Sequence, residues 1–346
     1  MKYIPKKTIC IITQSHLCHN PRVLKEAVTL SQNGYTVHIL NCIFSKELLD
    51  QDLSLIKNHT ICLKAISDFS KSNYKSFLDR CVKKFGVFLI KYLNIETSLS
   101  LGYGSFKYYK ACKSINADLY ICHQELATYI GNKLIRSGCK VAFDLEDWYA
   151  EDLLPLARSE RPVNLLRKIE SIALNEGLFC TTTSNVLANK LSITYSCKLP
   201  HLIYNVFPSQ NNLLNKQKEF SNPLKLFWFS QTIGPGRGLE QFIVLSNSLK
   251  NKFELHLLGN IDTSYQESLK TLMPTKHKLY FHEIVEEQKL AEKIASFDIG
   301  LALELAAPLS RNYTITNKFF QYLQAGLPII TSETQGQNEG FEKYSL

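Results

Sequence analysis

Residues 314 to 328, TITNKFFQYLQAGLP, put a lysine where a helix should begin. Thr316 is a candidate N-cap, Phe319, Phe320, Leu323 and Ala325 supply packing, and Gly326 before Pro328 ends the run. A cation in a first helical turn opposes the helix dipole at a cost of about 0.3 to 1 kcal/mol. A bound diphosphate would offset that cost, with Lys318 and the amides around Thr316 and Asn317 converging on its oxygens. Gln321, one turn later on much the same face, offers a hydrogen bond to a ribose. The alternative is a solvated surface lysine beside a core-packed helix.

Three further stretches carry candidate chemistry. SQTIGPGRGLEQF (230 to 242) sets Gly234, Gly236 and Gly238 around Arg237, so backbone and a guanidinium fork could both approach a phosphate. It matches neither the dinucleotide fingerprint nor the P-loop, and an ordinary strand-to-helix turn remains an alternative. QSHLCHNPRVLKEAVTLSQNG (14 to 34) places Asn20 as an N-cap, Pro21 at the first helical position and Arg22 as a second first-turn cation. His123, Gln124 and Glu125 follow one apolar run, and DLEDWYAED (144 to 152) contains Glu146 and Asp147 after another. These groups could bind sugar hydroxyls or act as acid and base, while Asp147 and Glu151 could equally charge-match a helix start. His16 and His19 have no metal-ligand spacing, so no metal is expected.

Positioning such groups requires strands that end where they lie. Short apolar runs alternate with helical patterns, the signature of α/β architecture with parallel sheets. Strands are expected at 8 to 13, 35 to 40, 118 to 123, 140 to 145, 178 to 183 and 201 to 205, then at 224 to 229, 253 to 259, 278 to 282, 298 to 303 and 327 to 331. In the second series, helices are expected near 238 to 249, 264 to 272, 286 to 296 and 316 to 325. The polar segment 206 to 223, with Pro208 and Pro223 near its ends, reads as a linker. The expected organisation is thus an N-terminal domain over 1 to 205 and a C-terminal domain over 224 to 346. Two facing open parallel sheets would bind ligands beyond their carboxyl edges.

At 346 residues, with 45% apolar and 21% charged residues, the chain has the composition of a folded protein rather than a disordered one. The N-terminal MKYIPKKTICIIT reads as a strand rather than a signal peptide, and no apolar run reaches the length of a membrane span, so a cytoplasmic location is expected. None of the ten cysteines forms a C-x-x-C pair, and reduced core thiols are expected. A net charge of +9 favours an anionic partner, and no nucleic-acid module is found. Lysines, Arg80 and aromatic residues interleave over 71 to 113. That pattern fits either peripheral contact with an anionic membrane or a core-packed helix with a solvated basic face.

Taken in order, NPRVLKEAVTLSQNGYTVHIL, DLYICHQELA, VAFDLEDWYAED, TTTSNVLANKL, GPGRGLEQF, ELHLLGN, FDIGLALE and TNKFFQYLQAGLPIITSETQGQNE resemble retaining glycosyltransferases of family 4 and their relatives. The resemblance implies the GT-B fold, two facing Rossmann-like domains. It also implies transfer of a sugar from a nucleotide-diphosphate donor to a saccharide or lipid-linked acceptor, in surface polysaccharide or glycolipid biosynthesis, with no metal or other cofactor. The donor site it implies comprises Gly234, Gly236, Arg237, Gly259, Thr316, Asn317, Lys318 and Gln321, with Gln321 in the place of a ribose-binding glutamate. His16, Asn20, Arg22, Glu125 and Glu146 fall on the acceptor side, and His123, Asp147 and Glu304 are the catalytic candidates. The family's paired glutamates are not reproduced, since Tyr313 and Gln321 stand at that spacing. Relatives continue through further helices beyond this point, so a shortened C-terminal domain is expected. A nucleotide-sugar epimerase of the same fold and a non-catalytic nucleotide-sugar-binding protein are the alternatives.

Overall fold

The computed structural model describes residues 6–207 and 219–344. The chain divides into two compact units, Met1–Ile203 and Tyr204–Leu346. Most of the linker expected at 206 to 223 lies outside the described residues.

The first unit is built on a seven-stranded parallel sheet. Its strands are β1 (Thr8–Ile12), β2 (Thr36–Ile43), β3 (Ile61–Asp68), β4 (Leu119–His123), β5 (Val141–Leu145), β6 (Cys180–Thr182) and β7 (His201–Leu202), in spatial order 3-2-1-4-5-6-7. β1 is apolar after Thr8 and β5 is apolar but for Asp144, and both are buried because helices cover both sheet faces. Ile9 and Ile11 pair in register with Val37 and Ile39 and pack with Val23 and Ala27 of the helix Pro21–Gln32. The sequence signals at that helix's start hold: Pro21 occupies the first turn, and Asn20 Oδ1 accepts the Val23 amide at 3.2 Å. β3 was not expected from the sequence. It is an edge strand with alternating exposure, so its residues ICLKAISD never form an apolar run.

Between β3 and β4 lie the helices Tyr74–Leu93 and Ser105–Ile115. The first is pinned by its small face: a Cβ on Gly86 would sit 2.6 Å from the Ser100 amide nitrogen. Its buried Asp79 accepts hydrogen bonds from Ser67 Oγ and Lys107 Nζ, both at 2.6 Å. All ten cysteines are free, but only Cys10, Cys42, Cys112, Cys122 and Cys180 are core thiols, while Cys62 and Cys81 are exposed.

The second unit carries a five-stranded parallel sheet. β8 (Leu224–Ile233), β9 (Phe253–Ile261), β10 (Lys278–His282), β11 (Ile299–Ala302) and β12 (Ile329–Thr331) run in the order 10-9-8-11-12. β8 extends past the expected end through an irregularity between Phe229 and Thr232. Gly259 is required there, because a Cβ would meet the Ser230 carbonyl oxygen at 2.2 Å. Helices at Leu239–Leu245, Thr263–Leu272, Glu287–Ala295 and Asn317–Gln324 follow the expected pattern, and Gln335–Tyr344 adds one that was not expected. In each sheet the strand order reverses beside the first strand, between β1 and β4 and between β8 and β11. Such switch points open a crevice at the strands' carboxyl ends, where ligands bind in this architecture.

Candidate functional site

In the second unit the loop after β8 delivers Arg237, and the loop after β11 delivers Glu304. Glu304 is buried; its Oε1 accepts from Arg237 Nη1 at 3.0 Å, and its Oε2 lies 3.9 Å from Arg311 Nη1 without a hydrogen-bond partner. The Glu304 amide is held by Ser332 Oγ at 2.9 Å. Arg311 also donates to the Gly236 carbonyl at 2.9 Å, tying the glycine loop to the 3-10 turn Leu309–Asn312. Gly236 has a φ of +78° and open space where a Cβ would be, and Gly234 is equally open.

Lys318 completes this group from the first turn of Asn317–Gln324, its Nζ 4.9 Å from the centre of the buried Trp228 ring. Desolvation lowers its pKa to about 8; Glu304 opposes the shift, and Arg237 and Arg311 add to it. Three cations therefore share one carboxylate, and an arriving anion would relieve their mutual repulsion. Thr316 stands at the N-cap position, but its side chain makes no capping bond; Oγ1 instead accepts from Gln337 Nε2 at 3.2 Å. Asn317 Oδ1 accepts from Asn205 Nδ2 at 2.7 Å. Gln321 is buried rather than open to a ribose. Gly259 does not belong to this loop cluster: its place is explained by close strand packing alone. The helix is riveted to the switch point by Tyr322, whose hydroxyl donates to the carbonyls of Phe227 and Leu301 at 3.0 and 3.3 Å. Gly300 leaves room for that ring, since a Cβ there would lie 2.3 Å from it.

In the first unit a cavity of about 670 Å³ opens beyond β1 and β4. Gln14, His16, Lys83, Glu125, Asp147 and Arg161 are among the residues that line it. Gln124 Oε1 accepts from the Gln14 amide at 2.9 Å and from Thr13 Oγ1 at 3.1 Å, so the two strand ends are stitched together. Glu125 is paired with Arg161. Burial raises the Glu125 pKa, and Arg161 counters the rise. Lys83 lies 4.4 Å from the Tyr103 ring centre.

His16, Glu125 and Asp147 thus reach the cavity wall, whereas Asn20, Arg22, His123 and Glu146 do not line it. His16 has no ring nitrogen to spare: Nδ1 is 2.7 Å from Asp52 Oδ2, and Nε2 accepts the Phe44 amide at 2.9 Å. Asn20 is spent on its cap. Arg22 is buried rather than facing a cleft, donating to both oxygens of Asp144 at 2.5 and 2.9 Å and to the Ile203 carbonyl at 2.7 Å. Glu146 serves His123, which is fully buried, with Nε2 2.7 Å from Glu26 and Nδ1 3.2 Å from Glu146 and 3.5 Å from Asp144. Desolvation pulls the His123 pKa down, but Glu26, Glu146 and Asp144 outweigh it and raise it to about 10. His123 is thus buried with both ring nitrogens engaged by carboxylates, and it does not line the cavity.

Two sets of three possible metal ligands occur among the described residues, His16/Cys18/Asp52 and His123/Asp144/Glu146. In both, the histidine nitrogens are already engaged. Arg311, Lys83, Arg161 and Trp228 escaped the sequence reading; Lys83 had been seen only as part of a basic segment, and the others belong to no spacing pattern.

No protein-family model and no curated protein matches the sequence. Solved structures do match its fold. Sucrose-phosphate synthase from Thermosynechococcus elongatus superposes with a TM-score of 0.62 at 10% identity, over 96% of this chain and 82% of that one. TarM gives 0.64 at 7% identity, over 97% and 86%. A putative UDP-N-acetylglucosamine 2-epimerase from Listeria monocytogenes gives 0.54 at 11%, over 98% and 82%. The architecture, two Rossmann-like parallel-sheet domains, is that of GT-B glycosyltransferases. No helix among the described residues is long and apolar enough to cross a membrane.

Proposed function

We propose that the protein is a glycosyltransferase that moves a sugar, with retention, from a nucleoside-diphosphate donor to a saccharide or lipid-linked acceptor. The observation that carries this reading is the gathering of Arg237, Arg311 and Lys318 about the single carboxylate of Glu304 at the β8–β11 switch point. Breaking a glycosidic bond to a nucleoside diphosphate builds negative charge on the leaving phosphate. Fixed cations in a partly desolvated site stabilise that charge as it develops. The chain's own cations fill this role, so the reading calls for no metal. Glu304 balances the arginines, and its Oε2, which has no hydrogen-bond partner among the described residues, is an acceptor for a donor-sugar hydroxyl.

The cavity beyond β1 and β4 is the acceptor site on this reading, with Asp147 on its wall as the candidate base. Its mixed cations, carboxylates and tyrosines suit a hydroxyl-rich, charged acceptor. The likeness to a UDP-N-acetylglucosamine 2-epimerase supports one second reading, an epimerase that uses the same cationic cluster. A cytoplasmic role in surface polysaccharide or glycolipid assembly accompanies the first.

Calorimetry against a panel of nucleoside diphosphates, followed by product analysis with matching nucleotide sugars, separates these readings. Binding followed by release of free nucleoside diphosphate and a new glycoside supports transfer. An inverted sugar centre without transfer would favour the epimerase, and no nucleotide binding at all would remove both.

A further inference from the structure

The helix Tyr74–Leu93 is turned the opposite way from an ordinary amphipathic surface helix. Its buried positions are Ser76, Asp79, Gly86 and Ile90, three of them small or polar. Tyr74, Phe77, Leu78, Phe85, Phe88 and Tyr92 point outward, with exposures from 46% at Leu78 to 76% at Tyr74. They recur at helical spacing along a single stripe. Phe88 stands 6.4 Å from Phe85 and 5.0 Å from Tyr92, ring centre to ring centre, so the stripe is continuous there. The orientation is fixed by the close approach of Gly86 to Ser100 and by Asp79 held between Ser67 and Lys107. Among the described residues nothing covers the aromatic face.

The geometry points to this helix as a docking element for an anionic lipid surface. Its charges choose the occupant: Lys75, Arg80 and Lys84 are exposed beside the stripe, and its one acid, Asp79, is turned inward. A second copy of the chain would set like charges against each other around the same stripe. A bilayer with anionic headgroups would take the aromatic rings at its interface and the cations at its surface. Of the two expectations for 71 to 113, the core-packed helix with a solvated basic face is set aside for Tyr74–Leu93, whose apolar face is in solvent, but it describes Ser105–Ile115, which buries Tyr108, Ala111 and Cys112 and exposes Lys107, Lys110 and Lys113. The same helix lends Lys83 to the cavity beyond β1 and β4. The inference stands apart from glycosyl transfer and survives its failure.

The test is sedimentation with vesicles of phosphatidylcholine alone or mixed with phosphatidylglycerol. The parent protein should pellet with the mixed vesicles and lose binding as salt is raised. A Phe77→Ser, Phe85→Ser, Phe88→Ser variant should partition at least about tenfold less, since three rings no longer leave water. Lys84→Glu should lose at least about fivefold. Unchanged circular dichroism and thermal melting would show that these exposed substitutions leave the fold intact. Equal partitioning of parent and triple variant would overturn the inference. So would absence of parent binding to anionic vesicles, or a lipid-free dimer that the triple variant converts to monomer.

Discussion

Arg22 and Lys318 occupy matching places in the two units: each is a cation in the first turn of a helix, in a segment with no acid in that turn. Their surroundings differ in charge. Arg22 meets Asp144 through two hydrogen bonds, and Asp144 in turn faces His123, which Glu26 and Glu146 also hold. In that network Arg22, Asp144 and His123 are buried and the cations are matched by carboxylates, with Glu26 and Glu146 at its half-buried edge. Lys318 shares Glu304 with Arg237 and Arg311, so its cluster carries surplus positive charge. The lesson is that a first-turn cation signals a ligand only where the fold withholds a matching carboxylate.

The comparison can be broken most sharply by Arg22→Ala. Removing the two hydrogen bonds that Arg22 makes to the buried Asp144 should cost about 3 to 5 kcal/mol in urea unfolding. Lys318→Ala should leave unfolding far less affected, and equal losses in both would erase the distinction between scaffold and site. The reverse ranking is expected in calorimetry. Arg237→Ala and Lys318→Ala should each weaken nucleoside-diphosphate binding by about 1.5 to 3 kcal/mol, as loss of a charge-assisted hydrogen bond implies. Retained affinity in both would rule out the phosphate site.

pH sharpens the contrast because the two pKa shifts have opposite signs. His123, raised from 6.5 to about 10, contributes stability that is complete below pH 6.5 and is lost as pH rises through 10. Lys318, lowered from 10.5 to about 8, opposes folding when charged, and that penalty is relieved between pH 8 and 10.5. Urea midpoints across this range should lose their downward component in His123→Gln and their upward component in Lys318→Met. Diphosphate affinity should hold steady up to pH 8 and then fall by at most about 1.4 kcal/mol per pH unit; a flat profile would exclude Lys318 as a ligand. The smallest effect is reserved for Gly236→Ala, where a positive φ without a steric clash should cost about 1 kcal/mol. Gly259→Ala should cost more stability and yet leave the affinity of the folded protein unchanged.

The sheets were legible because buried parallel strands such as TICII and VAFDL are apolar but for one residue each, Thr8 and Asp144. The edge strand β3 was not, since water on one side leaves it no such signature. Arg237, Glu304 and Lys318 could be picked out because each follows a strand or opens a helix. Arg311 could not: it comes from a short turn and matters only through contacts with Glu304 and Gly236. Asn20 was legible as a cap, but Arg22 and His123 were legible as positions and not as roles, because their partners Asp144, Glu26 and Glu146 arrive through the fold. The aromatic residues of 74 to 93 gave a helix from their spacing, yet spacing alone does not say which face is buried.

Gly300 and Tyr322 have a consequence for sequence variation. One is a missing side chain and the other a large ring filling the space it leaves, with the ring hydroxyl fastened to two strands. Homologues that enlarge position 300 should shrink position 322 in the same lineage. Variation of the chain between Leu305 and Ser310, by contrast, would leave that fastening in place.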